Sequence, residues 1–305
     1  MGQVVNVIVG LSTALIGYVI GRTWQRFISW LRHRRLKRFL APLLEGGVQI
    51  VASRFMSSIF NEPTGLVGGG DALALRELST AFNAVGYKDY KILYVDEREL
   101  DPRENLILLG GIDTNRLTKE ALELIDPDLL IHDPGPGVKI EIHDRRPDEH
   151  HSRKLQSRKI YQASDNTDFG IIIRSRNPFN PNKGLIVIAG AYGYGSWAGA
   201  SLVRDSSFLL KCDELDLLTK VKPRSMTMAL LKAGFTWLHN FTPGGKPLDL
   251  WAPLECMFKV RVYDDRPLTP EILVFRRLKL SDTCSISSFI RSSYRPGRSR
   301  RGCRL

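Results

Sequence analysis

The chain is poor in cysteine, and what it has is not arranged for pairing. Its four cysteines, Cys212, Cys256, Cys284 and Cys303, make no CxxC and no zinc-ligand spacing. That excludes a disulfide-stapled scaffold and a zinc-ribbon module. Cys256 lies in the alternating apolar run ECMFKVRVY and reads as a core thiol. Also absent are a Walker A sequence, a G-x-S-x-G elbow and an H-E-x-x-H helix, so P-loop, α/β-hydrolase and zincin chemistries have no signature here. The cluster His143, Asp144, Asp148, Glu149, His150, His151 stands beside Pro147 among Arg and Lys and reads as a solvated loop. No metal and no cofactor is assigned. His132 and His239 are isolated and read as partly buried imidazoles.

Charge is missing in a patterned way. Residues 1–21 carry no charged side chain, the interval Arg22–Arg38 has seven Lys/Arg and no acid, and the chain after Asp282 has six Arg and no acid. Those thirteen cations account for the whole formal charge of +12, so the rest of the chain is close to neutral. The excess is confined to two flanks and is not the footprint of a nucleic-acid-binding body. An uncharged run of this length matches a hydrocarbon core of about 30 Å, and the basic flank after it, with Trp24 and Trp30, fits the cytoplasmic side of a bilayer. The expected organisation is a transmembrane helix over 1–21, a basic juxtamembrane segment over 22–44 held to anionic lipid headgroups, an α/β domain over 45–280, and a disordered basic tail over 281–305. The alternative for 22–44 is a solvated linker or a nucleic-acid patch. Gly10, Ala14, Gly17 and Gly21 repeat at small-xxx-small spacing, which allows a homodimer through the span.

Three apolar or glycine-rich stretches run into helical patterns. TGLVGGGDALALRELSTAF at 64–82 predicts a helix opened by Asp71 as N-cap, NLILLGGIDTNRLTKEALELI at 105–125 a strand ending at Gly110 and Gly111 before a helix, and LIVIAGAYGYGSWAGASLV at 185–203 a strand ending in glycines before another helix. Strand-helix alternation argues for an α/β fold with a mixed, largely parallel Rossmann-like sheet, ligands settling at the carboxyl ends of its strands. VKIEIH, FGIIIRS, MFKVRVY and ILVFRRL read as further strands, the last two as an antiparallel pair.

GYGSWA at 193–198 has the letters of G-x-G-x-x-A, but Gly190 already closes the strand, and DSSFLLKCDELDLL supplies no second strand ending in an acid. The two glycine turns together say more than either alone. As neighbours on one sheet edge they would form a shared anion cradle: Gly110, Gly111, Gly193 and Gly195 admitting backbone approach, Asp113, Asn115 and Ser196 hydrogen-bonding, Trp197 stacking. The plain alternative is glycine for close helix packing alone.

The segments TGLVGGGDALAL, NLILLGGIDTN, DNTDFGIII, NPFNPNKGLIVIAGAYGYGSWAGA and FKVRVYDDRPLTPEILVFRRL resemble an uncharacterised prokaryotic α/β family over about residues 60–280. The family has no settled activity, so the resemblance implies the extent of the domain and little of its chemistry. The resulting expectation is a membrane-anchored cytoplasmic sensor or signalling protein that binds a nucleotide-like or phosphorylated ligand. Two alternatives stay open: a nucleotide-processing enzyme using Asp71, Asp113 or Glu255 as acid or base, and a tethered interaction protein without a small ligand.

Overall fold

The computed structural model describes residues 2–54, 66–135, 138–146, 159–164, 166–220, 251–264 and 266–278, with side chains left out for 2–14 and 217–220. The expected basic tail, and Asp148 to His151 of the loop cluster, lie outside these residues. The chain opens with α1 (Gly2–Leu40) and continues through β1 (Val48–Ala52), α2 (Gly69–Ala84), β2 (Tyr90–Tyr94), β3 (Asn105–Leu109) and α3 (Arg116–Ile125). Then come β4 (Leu129–His132), β5 (Glu141–Asp144), β6 (Lys159–Gln162), β7 (Thr167–Asn177), β8 (Asn180–Gly190), α4 (Gly193–Leu202) and α5 (Ser206–Lys220). After these lie β9 (Leu254–Tyr263), β10 (Arg266–Pro267) and β11 (Glu271–Arg277).

The main sheet has the order β10-β9-β7-β8-β3-β1-β2, with β11 also on β9. It is a mixed α/β sheet whose two halves differ. Pairings β1–β2, β1–β3 and β3–β8 are parallel, whereas β7–β8, β7–β9 and β9–β11 are antiparallel. Parallel pairing therefore covers one half of the sheet rather than most of it. β4, β5 and β6 make a separate antiparallel sheet.

Side chains alternate across the strands, and this splits the core in two. Ile50, Ile107, Leu109, Ile186, Ile188, Ile172, Cys256 and Phe258 face a layer of α2, α4, α5 and the end of α1. Their neighbours Val51, Leu106, Leu108, Leu185, Val187, Ile171, Ile173 and Met257 face α3 and the small sheet. The central strands are buried on both faces, which is why they read as continuous apolar runs. Cys212 and Cys256 are buried free thiols, and loss of hydration pushes the Cys256 pKa up to about 12.

Two expectations about the N-terminus need correction. Among the described residues no helix is long and apolar enough to cross a membrane, which overturns the transmembrane helix over 1–21 and the single-pass, cytoplasm-facing placement built on it. The second concerns the basic segment, much of which serves the fold. Leu36, Phe39, Leu40 and Leu43 are buried in the core, so the folded body begins well before residue 45. Arg35 and Arg38 both reach Asp213 on α5, at 3.6 and 3.2 Å. The sequence hides this because these apolar residues alternate with cations at helical spacing.

Arg174 on β7 fastens this region. Fully buried, it lies 5.3 Å from the ring of Phe39 and 5.2 Å from that of Trp251, pairs with Asp216 at 2.5 Å and donates to the Ala252 carbonyl at 2.7 Å. Trp251 Nε1 donates to the Phe39 carbonyl at 3.0 Å. Removing one partner of a buried ion pair strands the other charge. The Arg174→Ala variant is expected to lose about 3 kcal/mol, read as a lower urea midpoint for the full chain at unchanged slope.

Candidate functional site

The order β2-β1-β3-β8 makes the chain run outward from β1 to β2 and then return across β1 to β3. In open α/β sheets the crevice at such a reversal, at the carboxyl ends of the strands, is where ligands settle. Here Ser53 follows β1, and Gly110 and Gly111 follow β3. Gly110 has φ +96° and would bring a Cβ within 3.0 Å of Ser53 Oγ and 3.3 Å of Asp71 Oδ2, so only glycine turns the chain here without strain.

The second glycine turn opens on the same edge. The Gly110 amide donates to the Ile188 carbonyl at 3.2 Å, and a Cβ on Gly111 would lie 3.5 Å from the Gly190 carbonyl. The amino end of α2 comes to the same place. Gly70 packs directly on the Gly193 backbone, so that a Cβ at 70 would fall inside the Gly193 carbonyl.

Asp71 is not the N-cap. That position belongs to Gly68, which has no side chain to cap α2. Asp71 points instead into the junction, where Ser53 Oγ donates to Oδ2 at 2.5 Å and the Ser196 hydroxyl forms a second bond. Its pKa is raised because burial outweighs the two serines. The ends of β1, α2 and α4 are thus joined through one carboxylate.

The backbone donors of the second turn have an internal partner. Asp168, buried at the start of β7, accepts from the Gly195 amide at 2.6 Å through Oδ2, and from Phe169 at 2.7 Å and Tyr192 at 3.1 Å through Oδ1. The anion at the amino end of α4 is therefore the protein's own carboxylate, and an incoming phosphate would have to displace it. Loss of hydration pushes the Asp168 pKa from 3.8 up to about 6, against the pull of the three amides. Sequence reasoning missed this residue as a site. Its signal was an acid leading an apolar strand, TDFGIIIRS, where an inward polar group needs a partner.

The other site residues divide sharply. Asn115 is the N-cap of α3: Oδ1 accepts from Leu117 and Thr118, and Nδ2 donates to the Leu109 carbonyl at 2.8 Å and the Val51 carbonyl at 3.3 Å. All four of its hydrogen-bonding positions are filled, so it ties the ends of β1 and β3 to α3 and has nothing left for a ligand. Asp113 is exposed at the rim, where loss of hydration and then the charges of Asp133 and Asp71 raise its pKa. Trp197 is half-buried on α4, and Ser196 is spent on Asp71. Arg54, next to Ser53, brings a cation to this edge, held against Asp96 and 5.2 Å from the ring of Tyr94.

Glu255, the remaining candidate acid or base, lies elsewhere and is committed to structure. It is fully buried and accepts from Arg146 at 2.9 Å, Arg276 at 2.6 Å and the amides of Asp128 and Leu129, clamping the small sheet to β9. His143 pairs with Glu141 at 2.7 Å and lies against the His132 ring at 4.9 Å. No protein-family model and no curated protein matches this chain.

Two outcomes are expected. Gly70→Ala drives backbone into backbone and lowers stability by about 3 kcal/mol, at the upper end of overpacking costs. Gly69→Ala, which meets nothing, leaves the melting temperature unchanged or raises it. For Asp168 the folded pKa exceeds the unfolded one, so the native state holds the proton between them. Stability then falls, by on the order of 3 kcal/mol, as pH rises from about 4 to about 6, and levels off above. Urea titrations at several pH values check this, the Asp168→Asn variant lacking that component of the slope.

Proposed function

We propose that this chain is a ligand-binding α/β protein of the sensor or signalling type, taking a nucleotide-like molecule in the crevice between the ends of β1 and β3. The observation that carries the reading is the meeting of Ser53, Gly110 and Gly111 at the strand-order reversal with the glycine-led amino end of α2. The electrostatics refine the ligand. Asp71 and Asp113 are acceptors, suited to sugar hydroxyls or base N–H groups, while phosphate is drawn to Arg54 and the first turn of α2.

An enzyme acting on the same ligand has one observation in its favour. Ser53 donates to Asp71, a carboxyl already held above its ordinary pKa, which is the arrangement of a hydroxyl nucleophile beside its base. Turnover lost in Ser53→Ala while binding persists would favour this alternative.

A melting screen of the full chain against nucleosides, nucleoside mono-, di- and triphosphates and inorganic phosphate tests the proposal. A ligand at a hundred times its Kd is expected to add about 2.7 kcal/mol. Arg54→Gln should weaken nucleotides without affecting nucleosides. A flat response to every compound at millimolar concentration would end the nucleotide reading.

A further inference from the structure

Beside Asp168 and the first turn of α4 lies a cavity of about 200 Å³, lined by Lys139, Ser164, Thr167, Asp168, Tyr192, Tyr194 and Val262. We propose that it binds a single neutral polyol ring, such as a sugar. The assignment is independent of the nucleotide reading, since it uses none of Ser53, Asp71, Gly110 or Arg54.

Size sets the first limit. A cavity of about 150 Å³ takes a benzene-sized ring, so about 200 Å³ suits one six-membered ring. Charge sets the second. Asp168 and Lys139 are the ionisable groups of opposite sign on its wall, and together they favour neither an anion nor a quaternary ammonium ion.

Hydrogen bonding sets the third. Both lone pairs of Asp168 Oδ1 are used by Phe169 and Tyr192, and one of Oδ2 by Gly195, leaving a single acceptor position. One position takes a hydroxyl, whereas the paired N–H edge of a guanine needs both oxygens. Ser164 and Thr167 bring hydroxyls that donate or accept, Lys139 donates, and the tyrosines offer flat surfaces to the C–H face of a ring. Acceptor, donor and flat wall in one small space match vicinal hydroxyls on a carbon ring.

The amides of Tyr192 and Gly195 report directly on Asp168, so amide NMR of the full chain titrated with D-glucose, D-ribose and myo-inositol is the test. Saturable shifts of both amides are expected with at least one of these. Tyr192→Ala, whose side chain is exposed and contributes little to folding, should weaken binding at least tenfold, and Thr167→Val should weaken it severalfold. Absence of a saturable shift with all three polyols at 100 mM overturns the proposal. So does a saturable shift given by phosphate or choline in their place, or an affinity indifferent to both substitutions.

Discussion

The first turn of α4 is gripped between two buried carboxylates, and the arrangement of this edge of the molecule follows from that grip. Asp168 holds it through the Gly195 amide, and Asp71 holds it through the Ser196 hydroxyl. Each is a charge-assisted hydrogen bond in a site with little water, worth about 1.5–3 kcal/mol and costly to leave half made. Because Asp168 comes from β7 and Asp71 from α2, the turn is pinned to both halves of the sheet, the antiparallel one and the parallel one. Gly70 and Gly193 let the two helices approach closely enough for Asp71 to reach.

This explains a division in what the amino-acid order discloses. The units β3–α3 and β8–α4 are legible because a doubly buried strand is an unbroken apolar run and glycine marks its end. That both turns share an edge also follows, since parallel neighbours end on the same side. What their donors face is not legible. The partner of Gly195 lies 27 residues earlier in the chain, and only tertiary approach brings it there. Asn115 shows the reverse case: the residue type and place are as read, yet the same amide and carbonyl that suit a ligand are consumed in joining β1, β3 and α3.

Charge is also distributed differently in space than along the chain. The basic stretch before residue 45 looks like one patch, yet Arg35 and Arg38 are paired with α5 while Leu36, Phe39 and Leu40 fill the core between them. At the opposite extreme, Arg174 sits in an apolar strand and is fully buried, stabilised by one carboxylate, one carbonyl and two aromatic rings. A helix carrying both surface cations and core residues gives a mixed pattern, and the cations dominate any reading by composition.

The contact of Gly70 with Gly193 couples two positions 123 residues apart closely, because both sides are backbone with no flexible atom to yield. A long side chain that meets a crowded neighbour can swing aside, but peptide backbone cannot. In any descendant of this protein the two sites are therefore inherited as a unit: a methyl group at 70 is admissible only where the α2 and α4 backbones stand further apart. The residue found at position 70 thus serves as a ruler for the gap between α2 and α4, readable in a gene before any coordinates exist.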